Sequence, residues 1–272
     1  MVFLQQNYVK ARLGNTNKMS ISEEFFRALA YKLVPRVSSD WAHWFRNRIV
    51  LRNVLKRLSV NCVLDVGANR GQYGTLLRRI GYRGWIISFE PIRASYEVLE
   101  VVAAQRPPWK VFPCALGAEE GRRQINVTED TVFSSFLTPR EESQIIFARN
   151  RVERREEVDV RRLDRILESC LSDISSPRIY LKLDTQGFDL AVLEGAQAIL
   201  PRILALQTEV SLHDIYYGMR DFVESISRCR AAGFEVIDFV TVNRDVDQLC
   251  AIDTDCIMVR KPDRELPRVT NA

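Results

Sequence analysis

The chain contains 272 residues, of which 46% are hydrophobic and 27% are charged, and its net charge at pH 7 is +4. This composition excludes an intrinsically disordered chain, because it supplies enough apolar surface for a sizeable core. No apolar run approaches the roughly 20 residues of a membrane-spanning helix, and the N-terminus MVFLQQNYVKARLG has only a short apolar patch, unlike a secretory signal. We therefore expect a cytoplasmic protein whose six cysteines are reduced thiols.

The charge is unevenly distributed along the chain. Residues 1–60 hold 11 Lys and Arg against 3 Asp and Glu, whereas the remainder holds 28 against 32. A basic segment can contact anionic lipid or nucleic acid, but it can also be the solvated face of amphipathic helices. Peripheral membrane contact through residues 1–60, homodimerisation and ordinary packing all remain open at this point.

The first 60 residues have helical periodicity. In residues 20–35, apolar residues recur every four positions and Pro35 ends the run. Residues 41–60 repeat the pattern with a stripe of leucine and valine. The sequence therefore predicts a helical extension over residues 1–60.

Strand-like and helix-like runs then alternate as far as residue 261. The strand-like runs are 62–67, 85–90, 110–117, 179–184, 203–211, 234–240 and 253–261, and the helix-like runs are 71–80, 93–105, 188–199 and 219–232. The middle strands are apolar on both faces, which is typical of buried parallel strands in a doubly wound α/β fold. We predict one domain over residues 61–261, with an antiparallel hairpin of the last two strands at one sheet edge and a tail at 262–272.

One long segment, residues 118–160, interrupts this alternation and is rich in Arg and Glu. Within it, residues 138–150 predict a short helix, with Thr138 as its cap and Pro139 in its first position. An insertion of this length is either functional or a plain surface excursion. A lid or substrate wall is the preferred interpretation.

The stretch VLDVGANRGQYG, residues 63–74, predicts a cofactor loop between a strand and a helix. Gly67 and Gly71 allow a tight turn and leave room for a ligand. Glu90 ends the next strand, where a carboxylate can accept hydrogen bonds from both hydroxyls of a ribose. Asp65, inside the first strand, is placed either to brace the loop or to meet the ligand's amino group.

The loop favours S-adenosylmethionine over a dinucleotide. A dinucleotide site requires G-x-G-x-x-G, and the corresponding positions here hold Gly67, Asn69 and Gln72. The acidic surroundings also disfavour a pyrophosphate and suit a cationic sulfonium. We therefore assign Asn69, Gln72 and the two glycines to the cofactor site, together with Asp65 and Glu90.

Four motifs in order resemble the FkbM family of S-adenosylmethionine-dependent methyltransferases. They are VLDVGANRGQYG, FEP (89–91), VDVRRLD (158–164) and IYLKLDTQGFDLAVLEGA (179–196). A strand ending in Glu209 matches a further family feature, and the resemblance covers about residues 60–260. The chain departs from the family at Gln186, where Glu is usual, so a metal-binding or substrate-binding role of that carboxylate is weakened here.

The resemblance implies a Rossmann-like class I methyltransferase fold with a mostly parallel seven-stranded sheet. It also implies O-methylation of a sugar, glycolipid or polyketide-type hydroxyl. Ser134 and Ser135 lie where relatives carry a serine pair near the cofactor, and Ala115 and Leu116 are expected to flank the adenine.

An aliphatic hydroxyl needs a general base or a cation to become a good nucleophile. Asp184 and Glu209 end neighbouring strands, and His213 follows Glu209 by four residues. Base catalysis by Asp184 or His213 is preferred, with a divalent metal held by Asp184, Glu209 and His213 as the alternative. Lys182 shares a strand face with Asp184, so it can tune that carboxylate or contact the cofactor.

Other functions are less well supported. A nucleic-acid methyltransferase is disfavoured, because the sequence lacks the N/D-P-P-Y/F motif for base amines and has no aromatic cluster beside basic residues. An NAD-dependent oxidoreductase conflicts with Asn69 and Gln72, and a catalytically silent binding module remains open because of Gln186. The expected partner is a small-molecule or lipid-linked glycan acceptor, and no nucleic-acid partner is expected.

Overall fold

The computed structural model describes residues 39–245 and 250–261. The chain divides into two compact units, Met1–Arg46 and Asn47–Ala272. The helix predicted over 20–35 and the tail predicted at 262–272 lie outside the described residues. None of the helices in the described part of the chain is both long enough and apolar enough to cross a bilayer.

Ten strands and seven α-helices make up the described part. The strands are β1 Cys62–Val66, β2 Trp85–Phe89, β3 Trp109–Phe112, β4 Ala115–Leu116, β5 Gly121–Thr128, β6 Val152–Arg161, β7 Ile179–Leu183, β8 Ile203–Ser211, β9 Phe234–Asp245 and β10 Cys250–Arg260. The α-helices are α1 Ser39–Arg57, α2 Gln72–Arg79, α3 Arg93–Ala104, α4 Ser143–Ile146, α5 Leu163–Cys170, α6 Asp189–Gly195 and α7 Phe222–Ala231. Short 3₁₀ helices span Thr131–Phe133 and Gln197–Arg202.

The main sheet has seven strands in the order β3-β2-β1-β7-β8-β10-β9. β10 runs antiparallel to both β8 and β9, and the other neighbouring pairs are parallel. The mostly parallel α/β sheet and its antiparallel edge hairpin, predicted from the sequence, are therefore confirmed. The chain reverses the strand order between β1 and β7, which is where such sheets bind ligands.

Apolar residues on both faces of the sheet produce two core layers. In β1, Cys62, Leu64 and Val66 face one layer, which contains α5, α6 and α7, whereas Val63 faces the other. The second layer packs residues of α1, α2 and α3 against the sheet, among them Leu51, Leu55, Leu77 and Leu99. The last part of the predicted 1–60 extension therefore belongs to the core of the second unit.

The insertion folds as a small sheet of its own, in the order β4-β6-β5. The predicted strand 110–117 divides into β3, in the main sheet, and β4, in the small one. The predicted helix over 138–150 is wrong except for the four residues of α4. Pro139 instead forms a β-bridge with Tyr216, and Arg140 N donates to Ile215 O at 2.9 Å, so this backbone is extended.

Candidate active site

A cleft of about 380 Å³ opens at the carboxyl ends of β1, β2 and β7. Its volume lies within the range of small-molecule sites, about 300–1,000 Å³. The loops after these strands form one side, and residues of the insertion form the opposite wall. The charged side chains that line it are Glu90, Lys182, Asp184, Glu209 and Asp255.

Gly67 allows the loop after β1 to approach the end of β7. Its φ is +76°, and an added Cβ would lie 2.0 Å from the carbonyl oxygen of Asp184. Gly67 N and Ala68 N each donate to Phe89 O at 3.1 Å, which fixes the loop against β2 as well. The glycine that the sequence singled out thus brings three strand ends together and leaves the cleft open above them.

The remaining predicted residues of the loop have two different surroundings: some line the cleft, and Gly71 packs against the core. Asn69 and Gln72 line the cleft, and the Asn69 side-chain oxygen accepts hydrogen bonds from Ser95 and Thr131 at 3.0 Å. Gly71 does not line the cleft. A Cβ there would meet Leu99, Trp109 and Val102 at 3.1–3.3 Å, so its small size serves helix packing rather than the predicted ligand contact.

Glu90 lies between the first two loops, as the sequence predicts. Its carboxylate accepts from Asn69 N at 2.7 Å and from Ile92 N at 2.9 Å. Burial raises the pKa of Glu90 to about 7, although these two backbone N–H groups act in the opposite direction. Each carboxylate oxygen keeps further acceptor capacity, so the group is held in one orientation and can still bind hydroxyls in the cleft.

Asp65 is buried and is not among the residues that line the cleft. The side chain is fully buried, accepts from Ser88 Oγ at 3.1 Å and lies 3.4 Å from Lys182 Nζ. Burial raises the pKa of Asp65 despite the nearby ammonium. The register explains the position, because Ser88, Asp65, Lys182 and Gln207 occupy one row across four neighbouring strands.

Asp184 and Glu209 lie two residues beyond Lys182 and Gln207, and the Gln186 side chain connects them by hydrogen bonds. The Gln186 side-chain Nε2 donates to Asp184 Oδ1 and to Glu209 Oε1, both at 3.1 Å. Tyr216 fixes the amide by donating its hydroxyl to Gln186 Oε1 at 2.8 Å. The residue that departs from the family pattern therefore supplies two N–H donors between two carboxylates, where Glu would add a third acid.

Asp184 is the acid of this group that is most open to the cleft. Its side chain is 36% exposed and pairs with Lys182 Nζ at 2.9 Å. It does not cap α6, since the N-cap position of that helix is Phe188 and no side-chain cap hydrogen bond forms there. Its carboxylate is therefore oriented by two donors and remains available to a ligand.

Among the described residues, Lys182 is the single cation that lines the cleft. Burial by itself lowers the pKa of an ammonium, but the carboxylates of Asp184 and Asp65 outweigh this effect and raise the pKa of Lys182 above its usual value. Lys182 therefore remains charged and cannot act as a base. It pairs with Asp184 on their shared strand face, and the predicted roles in tuning that carboxylate or contacting the cofactor stay predictions.

Asp255 is a cleft residue that the sequence did not reveal. It lies on β10 opposite Glu209, and burial, followed by repulsion from Asp184, raises its pKa to about 7. Burial and the same repulsion raise the pKa of Glu209. The sequence did not predict Asp255 as a site residue because β10 runs antiparallel to β8, and the sequence does not specify how far the two strands are offset.

The remaining predicted cofactor residues lie on the insertion side. Ala115 and Leu116 are buried and line the cleft. Ser134 and Ser135 also line it, but their hydroxyls bind the protein itself: Ser134 Oγ accepts from Thr128 N at 3.1 Å, and Ser135 Oγ donates to Gln186 O at 2.7 Å. Ser135 thus connects the insertion to the loop that carries Gln186.

His213 is not brought to the cleft. It follows the end of β8, is exposed, and lines a separate surface depression with Arg140 and Asp214. The described residues contain no group of three His, Cys, Asp or Glu side chains arranged to hold a metal ion. The predicted metal set of Asp184, Glu209 and His213 therefore does not assemble, because β8 ends at Ser211 and the chain turns away.

A sequence profile of the FkbM methyltransferase domain matches residues 65–236, and the chain belongs to this family. The family resemblance drawn from the four motifs is confirmed, together with the S-adenosylmethionine-dependent methyltransferase class that it implied. The seven-stranded sheet described above is the Rossmann-like class I methyltransferase fold expected for such a protein. A search of curated protein sequences finds no match.

Solved structures that resemble the chain are methyltransferases of several kinds. Fibrillarin from Aeropyrum pernix with bound S-adenosyl-L-methionine is 14% identical over 73% of this chain and 66% of its own, with a TM-score of 0.39. The Burkholderia thailandensis 1,6-didemethyltoxoflavin-N1-methyltransferase is 12% identical over 92% and 94%, with a TM-score of 0.40. The magnesium protoporphyrin IX methyltransferase of Synechocystis PCC 6803 is 8% identical over 90% and 100%, with a TM-score of 0.41.

The pKa of Glu90 gives a prediction for cofactor binding. Only the ionised carboxylate offers all its lone pairs to ribose hydroxyls, and protonation begins as the pH falls through about 7. We expect the Kd for S-adenosylmethionine to rise about tenfold from about pH 8 to about pH 6, as measured by calorimetry. The Glu90→Gln variant should show a smaller dependence, and tighter wild-type binding at the lower pH would contradict the assignment.

Proposed function

We propose that the chain transfers the methyl group of S-adenosylmethionine to a hydroxyl group of a sugar, glycolipid or polyketide-type acceptor. The observation that carries this proposal is the Asp184 carboxylate, which faces the cleft while Lys182 and Gln186 hold it in place. An alcohol must lose a proton as it attacks carbon, whereas a neutral amine can attack without a base. The acceptor class itself follows from the family resemblance.

The charges of the cleft support this cofactor. Four carboxylates and one ammonium line it, and no arginine does so among the described residues. The carboxyl oxygens suit the ribose hydroxyls and the cationic groups of S-adenosylmethionine, and a lining without arginine offers the pyrophosphate of a dinucleotide no bidentate partner. When bound, S-adenosylmethionine supplies a methyl group on a positively charged sulfur, which is an excellent leaving group.

Each residue of the site then has a distinct role. The Gly67–Asn69 turn and Glu90 hold the nucleoside, with Glu90 accepting from the ribose hydroxyls. Asp184 accepts the proton of the acceptor hydroxyl as general base. Lys182 and Gln186 keep its carboxylate oriented, which matters because a small misplacement of a catalytic group lowers the rate steeply.

Glu209 is positioned as a partner of the base rather than as the base itself. It shares the Gln186 amide with Asp184, and burial raises its pKa well above the usual value of a glutamate. Glu209 therefore helps to fix the Gln186 amide that orients Asp184.

The proposal is tested with methyl-labelled S-adenosylmethionine and a panel of hydroxylated glycans, glycolipids and polyketides. Matched acceptors in which one hydroxyl is removed or replaced by an amine serve as controls. We expect label in an O-methyl group, identified by nuclear magnetic resonance of the product, and its loss when the reacting hydroxyl is removed. Label appearing in an N-methyl or C-methyl group would contradict the proposal.

A further inference from the structure

The segment that contains α2 and most of α1 is strongly basic. Between Asn47 and Phe89 the sequence contains eight Lys and Arg residues, and its single acidic residue is the buried Asp65. The exposed cations of this face are Arg52, Lys56, Arg57, Arg79 and Arg83. No exposed carboxylate accompanies them in this stretch, and the exposed acids of the same layer, Glu97 and Glu100, lie on α3.

In the described part of the chain, these five cations lack the carboxylate partners that other surface arginines have. Among the described residues, no carboxylate lies within ion-pair distance of Arg52, Lys56, Arg57, Arg79 or Arg83. Elsewhere exposed arginines pair readily, as in Arg122 with Glu157 at 3.3 Å and Arg228 with Glu194 at 2.7 Å. A set of adjacent cations without acidic partners repels itself, and an anionic partner relieves that repulsion.

Three of the cations converge on a groove of about 410 Å³, which we call the basic groove. Its lining includes Arg52 and Lys56 of α1 and Arg83 of the turn that follows α2. Ser59 and Gly81 also line it, and a Cβ added to Gly81 would meet no atom within 4 Å, so the groove is open there. The groove can therefore receive a phosphate-sized group between three positive side chains.

The exposed face of α1 favours a lipid surface over a nucleic acid. Ile49 is 45% exposed, and it precedes Arg52 by three residues and Lys56 by seven, so the three share one helix face. An apolar residue beside cations is typical of helices that lie at the headgroup boundary of a bilayer. The aromatic residue of the groove, Tyr82, is buried, which leaves no ring there for stacking against bases.

The groove and the catalytic cleft occupy different ends of the sheet. Val60 and Gly84, which line the groove, come just before β1 and β2, whereas the cleft opens where these strands end. In the described part of the chain, no residue lines both the groove and the cleft. We propose that the basic groove, together with Ile49, is the surface through which this protein docks on an anionic phospholipid bilayer, leaving the cleft unobstructed.

The test is flotation of the full-length protein with vesicles of phosphatidylcholine alone or of phosphatidylcholine mixed with phosphatidylglycerol. We expect binding to the anionic vesicles, decreasing with added salt, and little binding to the neutral ones. The triple variant Arg52→Glu, Lys56→Glu, Arg83→Glu should bind at least about 100-fold more weakly, since each charge near an anionic surface contributes about a fivefold factor.

A second triple variant, Arg202→Glu, Arg220→Glu, Arg228→Glu, makes the same change of net charge on another part of the surface. It should bind the anionic vesicles nearly as well as the wild type. Thermal unfolding and S-adenosylmethionine binding are measured for both variants, and the double variant Arg52→Glu, Lys56→Glu replaces the first triple if that one unfolds. Equal loss of binding in both triples, no vesicle binding by the wild type, or tighter binding to a single-stranded oligoribonucleotide than to vesicles would overturn the proposal.

Discussion

Replacing Asp184 with asparagine is expected to lower kcat at least about 100-fold, because a positioned general base contributes about 10²–10⁴ to the rate. The asparagine keeps the size of the side chain and can still contact Gln186, but it cannot accept the proton of the acceptor hydroxyl. The Kd for S-adenosylmethionine should stay within about tenfold of the wild-type value, since Glu90 and the Gly67 loop hold the nucleoside. Steady-state kinetics and calorimetry on the same preparation separate the two effects.

The matched control is Asp214→Asn, an exposed carboxylate that lines the separate depression beside His213. This variant should turn over like the wild type. Wild-type kcat in Asp184→Asn would remove the residue from catalysis. An increase in the Kd for S-adenosylmethionine that accounts for the whole loss would make Asp184 a cofactor-binding residue instead.

Replacing Glu90 with glutamine is expected to weaken S-adenosylmethionine binding about 100-fold, while kcat at saturating cofactor changes by less than about fivefold. The carboxylate accepts two backbone N–H groups, from Asn69 and Ile92. A glutamine offers one oxygen, so one of these donors loses its partner and no longer holds the side chain toward the ribose. A hydrogen bond to a charged acceptor contributes about 1.5–3 kcal/mol, and this contribution to binding is lost. The bond to one ribose hydroxyl is lost as well.

Glu100→Gln provides the comparison, because Glu100 is an exposed carboxylate on α3, outside the cleft. Its cofactor affinity should equal that of the wild type. Thermal unfolding of Glu90→Gln shows whether the protein is still folded when its affinity is measured. Unchanged affinity in a folded Glu90→Gln protein would contradict the assignment of this residue to the ribose.

The main sheet was predictable because its strands are buried on both faces and their apolar runs are continuous. The structure of the insertion was not predictable, because β5 and β6 form a small sheet with much of its surface in solvent. β6 is Arg- and Glu-rich, and of its residues only Val158 and Val160 are buried. A strand of this kind has the composition of a surface loop, and tertiary pairing with β5 decides its structure.

The site was predictable where residues directly follow parallel strands. Glu90 and Asp184 come just after β2 and β7, so the sheet itself brings them to the same edge. Asp65 lies inside β1 rather than after it, and its side chain is buried. The position of His213 relative to the cleft depends on where β8 ends, and that of Asp255 depends on how β10 is offset against β8. Local sequence does not encode either.

Gln186 shows what family comparison and structure each contribute. The motif marks it as a departure from the usual Glu, which suggested a weakened function. Its contacts show a side chain that joins Asp184, Glu209 and Tyr216 in one network. The amide thus orients the acidic pair through hydrogen bonds. The sequence motif alone does not reveal this role.

The most direct test of this account is calorimetric titration of the purified protein with S-adenosylmethionine and, in parallel, with NAD. The acidic cleft and the Glu90 carboxylate predict micromolar binding of S-adenosylmethionine and no detectable binding of NAD. Tighter binding of NAD, or no binding of either ligand by folded protein, would contradict the cofactor site assigned to the loop at Gly67.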